Sequence, residues 1–101
     1  MRVIGGDWSF VVLAGADLRG STFQQVKLRE ADLTGANCVD SVFATVDLSG
    51  AMLHNAKFVR ADLRGSDLTA LDPLVTDVTD AKILAEQAVV IAQAMGLRVG
   101  P

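Results

Sequence analysis

The sequence has one cysteine, one tryptophan, two prolines and no tyrosine, and its aromatic share is only 5%. A lone cysteine excludes a disulfide framework and any cysteine-based zinc site within one chain. So few rings exclude an aromatic core and point to one built from small and medium aliphatics. Twelve acidic against nine basic side chains give a net charge of −3. That balance lacks the basic excess that phosphate contacts need, so direct nucleic-acid binding is not expected. No apolar run reaches the ~18 residues of a membrane span, and no membrane partner is expected. The opening Met1-Arg2-Val3-Ile4-Gly5-Gly6-Asp7 has no long apolar stretch of a secretion signal, which makes the cytoplasm the expected compartment. Glycine-rich phosphate loops, nucleophile elbows and paired metal-ligating histidines are all missing. An enzyme is therefore the class least expected, and no cofactor is expected.

What the sequence has is a repeat. Steps of five from Trp8 reach Leu13, Leu18, Phe23, Leu28, Leu33, Cys38, Phe43, Leu48, Leu53, Phe58, Leu63 and Leu68, an apolar residue every time. Two residues before each stands a small residue or valine, as at Val11, Ala16, Ser21, Val26, Ala31, Ala36 and Ser41. A helix would turn through about 500° in five residues and smear such a column around its axis. A continuous strand would throw alternate members to opposite faces. Inward positions spaced two, then three, require a corner inside every five-residue unit. Gly15, Gly20, Gly35, Gly50 and Gly65 close their units, and Asp40 and Asn55 share that fifth place. These residues tolerate the positive φ of a tight turn. Units closed by Gln25, Glu30, Thr45 or Arg60 are expected to use a different, less strained corner.

The units Ala16-Asp17-Leu18-Arg19-Gly20, Ala31-Asp32-Leu33-Thr34-Gly35 and Ala61-Asp62-Leu63-Arg64-Gly65 resemble the A(D/N)LXX motif of the pentapeptide-repeat family. That resemblance implies an all-β solenoid, a right-handed quadrilateral β-helix of about three to four coils, with a C-terminal α-helical cap. Four units per coil would stack residues twenty apart, giving Trp8-Leu28-Leu48-Leu68, Leu13-Leu33-Leu53, Leu18-Cys38-Phe58 and Phe23-Phe43-Leu63 as core ladders. The expected domain layout is a repeat region over 1–83, clear at 6–70 and degenerate at 71–83. A helix over 84–96 and a tail over 97–101 follow.

Pro73 breaks the pattern, and the register continues through Thr76-Asp77-Val78 and Ala81-Lys82-Ile83. The helix starts without a good cap at Leu84 or Ala85 and stops at Gly96. Its polar residues Glu86, Gln87 and Gln93 cluster on one face. The wide apolar face makes Leu84, Ala88, Ile91, Ala92 and Met95 a candidate homodimer interface, against the alternative of a cap buried in its own chain. At the other end Met1 and Val3 already occupy the small and large places. The first coil thus presents a raw edge: either the chain belongs to a longer solenoid or that edge stacks on something.

His54 reads as a solvated surface residue and Cys38 as a buried, inert thiol. Asp17, Asp32, Asp47, Asp62 and Asp67 form a candidate acidic face, interrupted by Arg19, Lys27, Arg29, Lys57, Arg60 and Arg64. The C-terminal layout resembles actinobacterial family members that inhibit DNA gyrase and protect against fluoroquinolones, with dimer contacts through C-terminal helices. The function this implies is a DNA-mimicking gyrase interactor. The alternative is a structural or protein-interaction solenoid with no topoisomerase role.

Overall fold

The computed structural model describes residues 1–101. Every unit turns a corner, and four units close one coil. β1 (Arg2–Ile4), β2 (Thr22–Gln24) and β3 (Val42–Ala44) pair in parallel, with Val3 on Phe23 on Phe43. The other three sides stack through isolated bridges at the same offset, such as Asp17 on Asn37 on Lys57 on Asp77. The structure is thus a four-sided β-helix, 41 × 24 × 22 Å overall.

Main-chain hydrogen bonds run from coil to coil on every side. The second-place N–H donates to the coil before, as from Asp32 to the Val11 carbonyl at 2.9 Å, and the third-place N–H donates to the coil after, as from Leu33 to Met52 at 2.9 Å. This ladder sets the corners. Gln25, Glu30, Thr45 and Arg60 have φ of 54°, 56°, 53° and 55°, within about 15° of the 67° of Gly35. The milder corner expected there does not exist. A different backbone would misdirect the fifth-place N–H, which Arg60 donates to the Thr79 carbonyl at 2.8 Å. Non-glycine residues in this region each cost on the order of 1 kcal/mol, the β-branched Thr45 most.

The core follows the two inward columns. Leu18 through Leu68 of the large column are buried, Cys38 completely. Phe23 and Phe43 stack at 4.9 Å between ring centroids, and Phe58 meets Phe43 edge-on at 5.4 Å. Burial pushes the Cys38 thiol up to about 12, so it stays protonated. Where the small column carries a hydroxyl, the main chain satisfies it. Ser66 Oγ donates to the Phe43 carbonyl at 2.6 Å, and Thr76 Oγ1 to that of Leu53 at 2.7 Å. The ladder fails at its first member. Trp8 is 51% exposed and Leu13 only half-buried, because no coil lies over them.

Past Pro73 the register persists, with Asp77 bridged to Lys57 and Lys82 to Asp62. The Asp72-Pro73 irregularity pushes Leu74 out to 81% exposure. α1 (Ala85–Ala94) then lies over the last coil, and Gly96 ends it at φ 86°. Leu84 has no side-chain acceptor, so Gln87 supplies one: its Oε1 accepts the Leu84 N–H at 2.7 Å. The same side chain donates from Nε2 to the carbonyls of Leu63 and Ser66, at 2.8 and 2.9 Å. The three polar residues expected on one face therefore part company, with Glu86 and Gln93 exposed and Gln87 not. Gln87 is buried and pins the helix to the coil, and no helix is long and apolar enough to cross a membrane.

Two substitutions test this packing. Phe43→Ala should lower the unfolding free energy by about 3–5 kcal/mol in denaturant melts. Thr45→Asn keeps the left-handed corner with a residue that tolerates it, and should raise stability by about 0.5–1 kcal/mol.

Candidate interaction surfaces

The flanks are built from second- and fourth-place residues. Their aspartates do local work first: an Oδ1 accepts the N–H two residues on, as Asp17 does from Arg19, Asp32 from Thr34, Asp47 from Ser49, Asp62 from Arg64 and Asp67 from Thr69. Such Asx turns bend the chain toward its corner, which accounts for the acid in the motif. Four carboxylates also carry an arginine: Asp17–Arg19 at 2.8 Å, Asp40–Arg60 at 2.8 Å, Asp62–Arg64 at 2.7 Å, and Asp47 with Arg29 from the coil before. Hydrogen bonds from Arg19 hold Asp17 down at about 2, and those from Ser49 and Arg29 hold Asp47 at about 2.

The expected acidic face is not one face. Asp47 and Asp67 stand in a column with Asp7 and Lys27; Asp32 lies between Val12 and Met52. Asp17 belongs to the column of Asn37, Lys57 and Asp77, and Asp62 lies between Val42 and Lys82. The five candidates thus occupy all four sides of the coil. Residues fifteen apart advance by three sides, whereas only a spacing of twenty returns to the same one.

The ends are apolar. On α1, Ile91 packs against the core and Ala92 is half-buried, so neither is a free contact residue. Leu84 and Ala88 are exposed and Met95 is 51% exposed; with Leu74 and Leu97 they form the apolar surface at this end. A shallow groove of about 320 Å³ runs between Leu71, Pro73 and Leu74 and the helix residues Ala94 and Met95. At the opposite end Val3, Trp8, Val11, Leu13, Phe23 and Leu28 line an open concavity of about 520 Å³. His54 is exposed, and no three His, Cys, Asp or Glu side chains group around a possible metal position.

The family model for pentapeptide repeats matches residues 4–35, 12–50 and 31–69, in eight copies. The protein is a pentapeptide-repeat protein. Among solved structures it is similar to HetL, a pentapeptide-repeat protein involved in heterocyst differentiation regulation in the cyanobacterium Nostoc. Identity is 30% over 75% of this chain and 38% of HetL, with a TM-score of 0.51. A pentapeptide-repeat protein of the Arabidopsis thaliana thylakoid lumen is 23% identical over 87% of this chain and 75% of its own, also with a TM-score of 0.51. QnrB1, a plasmid-mediated fluoroquinolone resistance protein, is 17% identical over 94% of this chain and 68% of its own, at a TM-score of 0.43. No curated protein matches the sequence. This pentapeptide-repeat chain spans 38% of the length of HetL.

The lowered aspartates make a pH prediction. A carboxyl held below its unfolded value adds stability that is complete above the unfolded value near 4 and is lost as pH falls through the folded one. Melting temperature should therefore hold from neutral pH to about pH 4.5 and fall between about 4 and 2. Asp47→Asn, which keeps the turn acceptor and loses the charge, should make that fall shallower.

Proposed function

We propose that this pentapeptide-repeat protein is a non-enzymatic binding module that makes its contacts at the ends of a rigid solenoid. At the C-terminal end the contact is a homodimer through the outer face of α1. The observation that carries this reading is the division of surface. The flanks spend their carboxylates on Asx turns and arginines, while Leu74, Leu84, Met95 and Leu97 stay exposed at one end. Exposed apolar side chains gathered in one region are what a partner protein covers. Of α1, Gln87 is buried and Val89, Ile91 and Ala92 are half-buried, while Leu84, Ala88 and Met95 stay exposed for a second chain.

A DNA-mimicking gyrase ligand makes a different demand. Duplex DNA presents a charge every ~1.7 Å of axis, so a mimic needs an unbroken negative flank. Here three of the four columns mix charges, with Lys27 between Asp7 and Asp47, Lys57 between Asn37 and Asp77, and Lys82 beside Asp62, while the fourth sets Asp32 between Val12 and Met52. That layout favours the protein-interaction reading.

Light scattering of the intact chain and of Met95→Glu tests the proposal. A dimer that the substitution splits, with unchanged thermal melting, is the expected result; a mass indifferent to it would refute the helix contact. Titration into a gyrase supercoiling assay separates the two functions. The module reading expects no inhibition, and inhibition that weakens with salt would favour mimicry.

A further inference from the structure

The last coil ends on α1, and Gln87 makes the join in the solenoid's own register. Along this side a first-place carbonyl accepts the main-chain N–H twenty-one residues on, as Val26 does from Asp47 at 3.0 Å and Val46 from Asp67 at 2.9 Å. Ser66 is the next member of that column, and twenty-one residues beyond it stands Gln87. There the donor is the Gln87 side chain instead, with Nε2 at 2.9 Å from the Ser66 carbonyl. Third-place carbonyls also take a second donor from the coil after, as Phe43 does from Ser66 Oγ and Leu53 from Thr76 Oγ1. For Leu63 that donor is again Gln87 Nε2, at 2.8 Å. One carboxamide thus supplies both bonds that a further coil would make here, while its Oε1 accepts the Leu84 N–H at 2.7 Å. Both amide hydrogens and the oxygen are used.

The rest of the hold is light. Gln87 is the one buried residue of the ten in α1, with Val89, Ile91 and Ala92 half-buried. A groove of about 370 Å³, lined by Ser66, Asp67, Thr69, Glu86 and Val90, runs beside it. A helix of ten residues is shorter than the roughly 12–15 that are marginally stable alone in water. Leu84 adds no capping side chain. The segment is therefore helical because it is docked, and Gln87 is what docks it.

We infer that Gln87 is the latch of a two-state end and so regulates the contact proposed for α1, an inference that rests on that reading of the outer face. With the latch closed, Leu84, Ala88 and Met95 are held in one arrangement and face outward. With it open, α1 melts while the coils stay folded, and that surface no longer exists. A second chain binds only the closed state, so binding closes the latch further. Conversely, a weaker latch weakens the contact without belonging to it, and it does so through both copies. Gln87 is thus a positioning residue, buried against its own coil.

Gln87→Glu tests the latch because it removes the donors reversibly. Its ionised carboxylate has no hydrogen to offer the Ser66 and Leu63 carbonyls; protonated, it offers one and still accepts from Leu84. Burial against two carbonyls raises that carboxyl above the ordinary value of about 4.3, and Asp67 and Glu86, the titratable groups lining the groove beside it, push the same way. Docking that depends on a raised carboxyl is present at low pH and lost as pH rises through the raised value.

Amide exchange is read first with Met95→Glu added, so that the helix contact contributes nothing. The reporters are Ala88 and Leu97, whose N–H groups bond to the Leu84 and Ala92 carbonyls. At about pH 7.5 Gln87→Glu should lower their protection at least about tenfold, with Asp47 and Asp62 unchanged, and at about pH 5 protection should return. Gln87→Leu, which fills the space without a donor, should show the loss at both pH values. In chains that keep Met95, sedimentation should show the Gln87→Glu dimer weakened by about tenfold or more at about pH 7.5 and recovered at about pH 5, with the wild-type dimer holding at both.

The proposal is overturned by undiminished protection of Ala88 and Leu97 in Gln87→Glu at neutral pH, or by a loss that acid does not restore. Loss of protection at Asp47 and Asp62 together with α1 would also overturn it, since the end would then not open separately. So would a dimer that ignores pH in Gln87→Glu while exchange follows it. A wild-type chain that stays single at several hundred micromolar, with exchange in Gln87→Glu still following pH, would instead refute the outer-face contact and leave the latch standing.

Discussion

The coil-to-coil hydrogen-bond ladder is the constraint on which the rest of this molecule depends. It fixes the twenty-residue offset, and that offset decides which side chains stack, which corner each unit adopts and which charges share a flank. It also overrides local preference. Thr45 and Glu30 take the same left-handed corner as glycine, since a relaxed backbone there would lose a main-chain bond and break the stack above and below it. The strain and the bond are of similar size, about 1 kcal/mol each, and the bond also carries the stacking of the neighbouring coils.

Most of the fold was legible in the sequence because the repeat is a direct imprint of that ladder. Leu28, Leu33 and Phe43 were identifiable as core from spacing alone, and Gly96 as a helix stop from residue type. Other features escaped for definite physical reasons. Trp8 fits the inward column perfectly, yet it sits in the first coil beside an open concavity, with a neighbouring coil on one side only. Gln87 read as one of three polar residues on one face of the helix, because nothing in a single helix reveals two carbonyls waiting beneath it. Its signal was present all the same: a glutamine at the third helical position of a helix whose cap residue has no polar side chain.

The surfaces were harder to read than the core. Acids recurring in the motif suggest a charged face, but a five-residue repeat on a four-sided coil distributes successive units around the axis. Only the offset between coils says which acids are neighbours, and it separates Asp17, Asp32 and Asp62 onto different sides. Their carboxylates are turn-builders as much as charges. At the two ends of the stack, apolar side chains lose their neighbours. In a solenoid this short the ends differ in kind: one is closed by a helix pinned through Gln87, the other is bare main chain around a concavity.

Amide hydrogen exchange at low protein concentration tests the ladder, and the open edge it implies, most directly. The second-place amides of Asp32, Asn37, Asp47 and Asp62 donate to the coil before, at 2.9 to 3.0 Å. They should be strongly protected, while those of Asp7, Val12 and Asp17 exchange freely. Protection that is uniform along the chain, or that fails at Asp47 and Asp62 in the centre of the stack, would contradict the account.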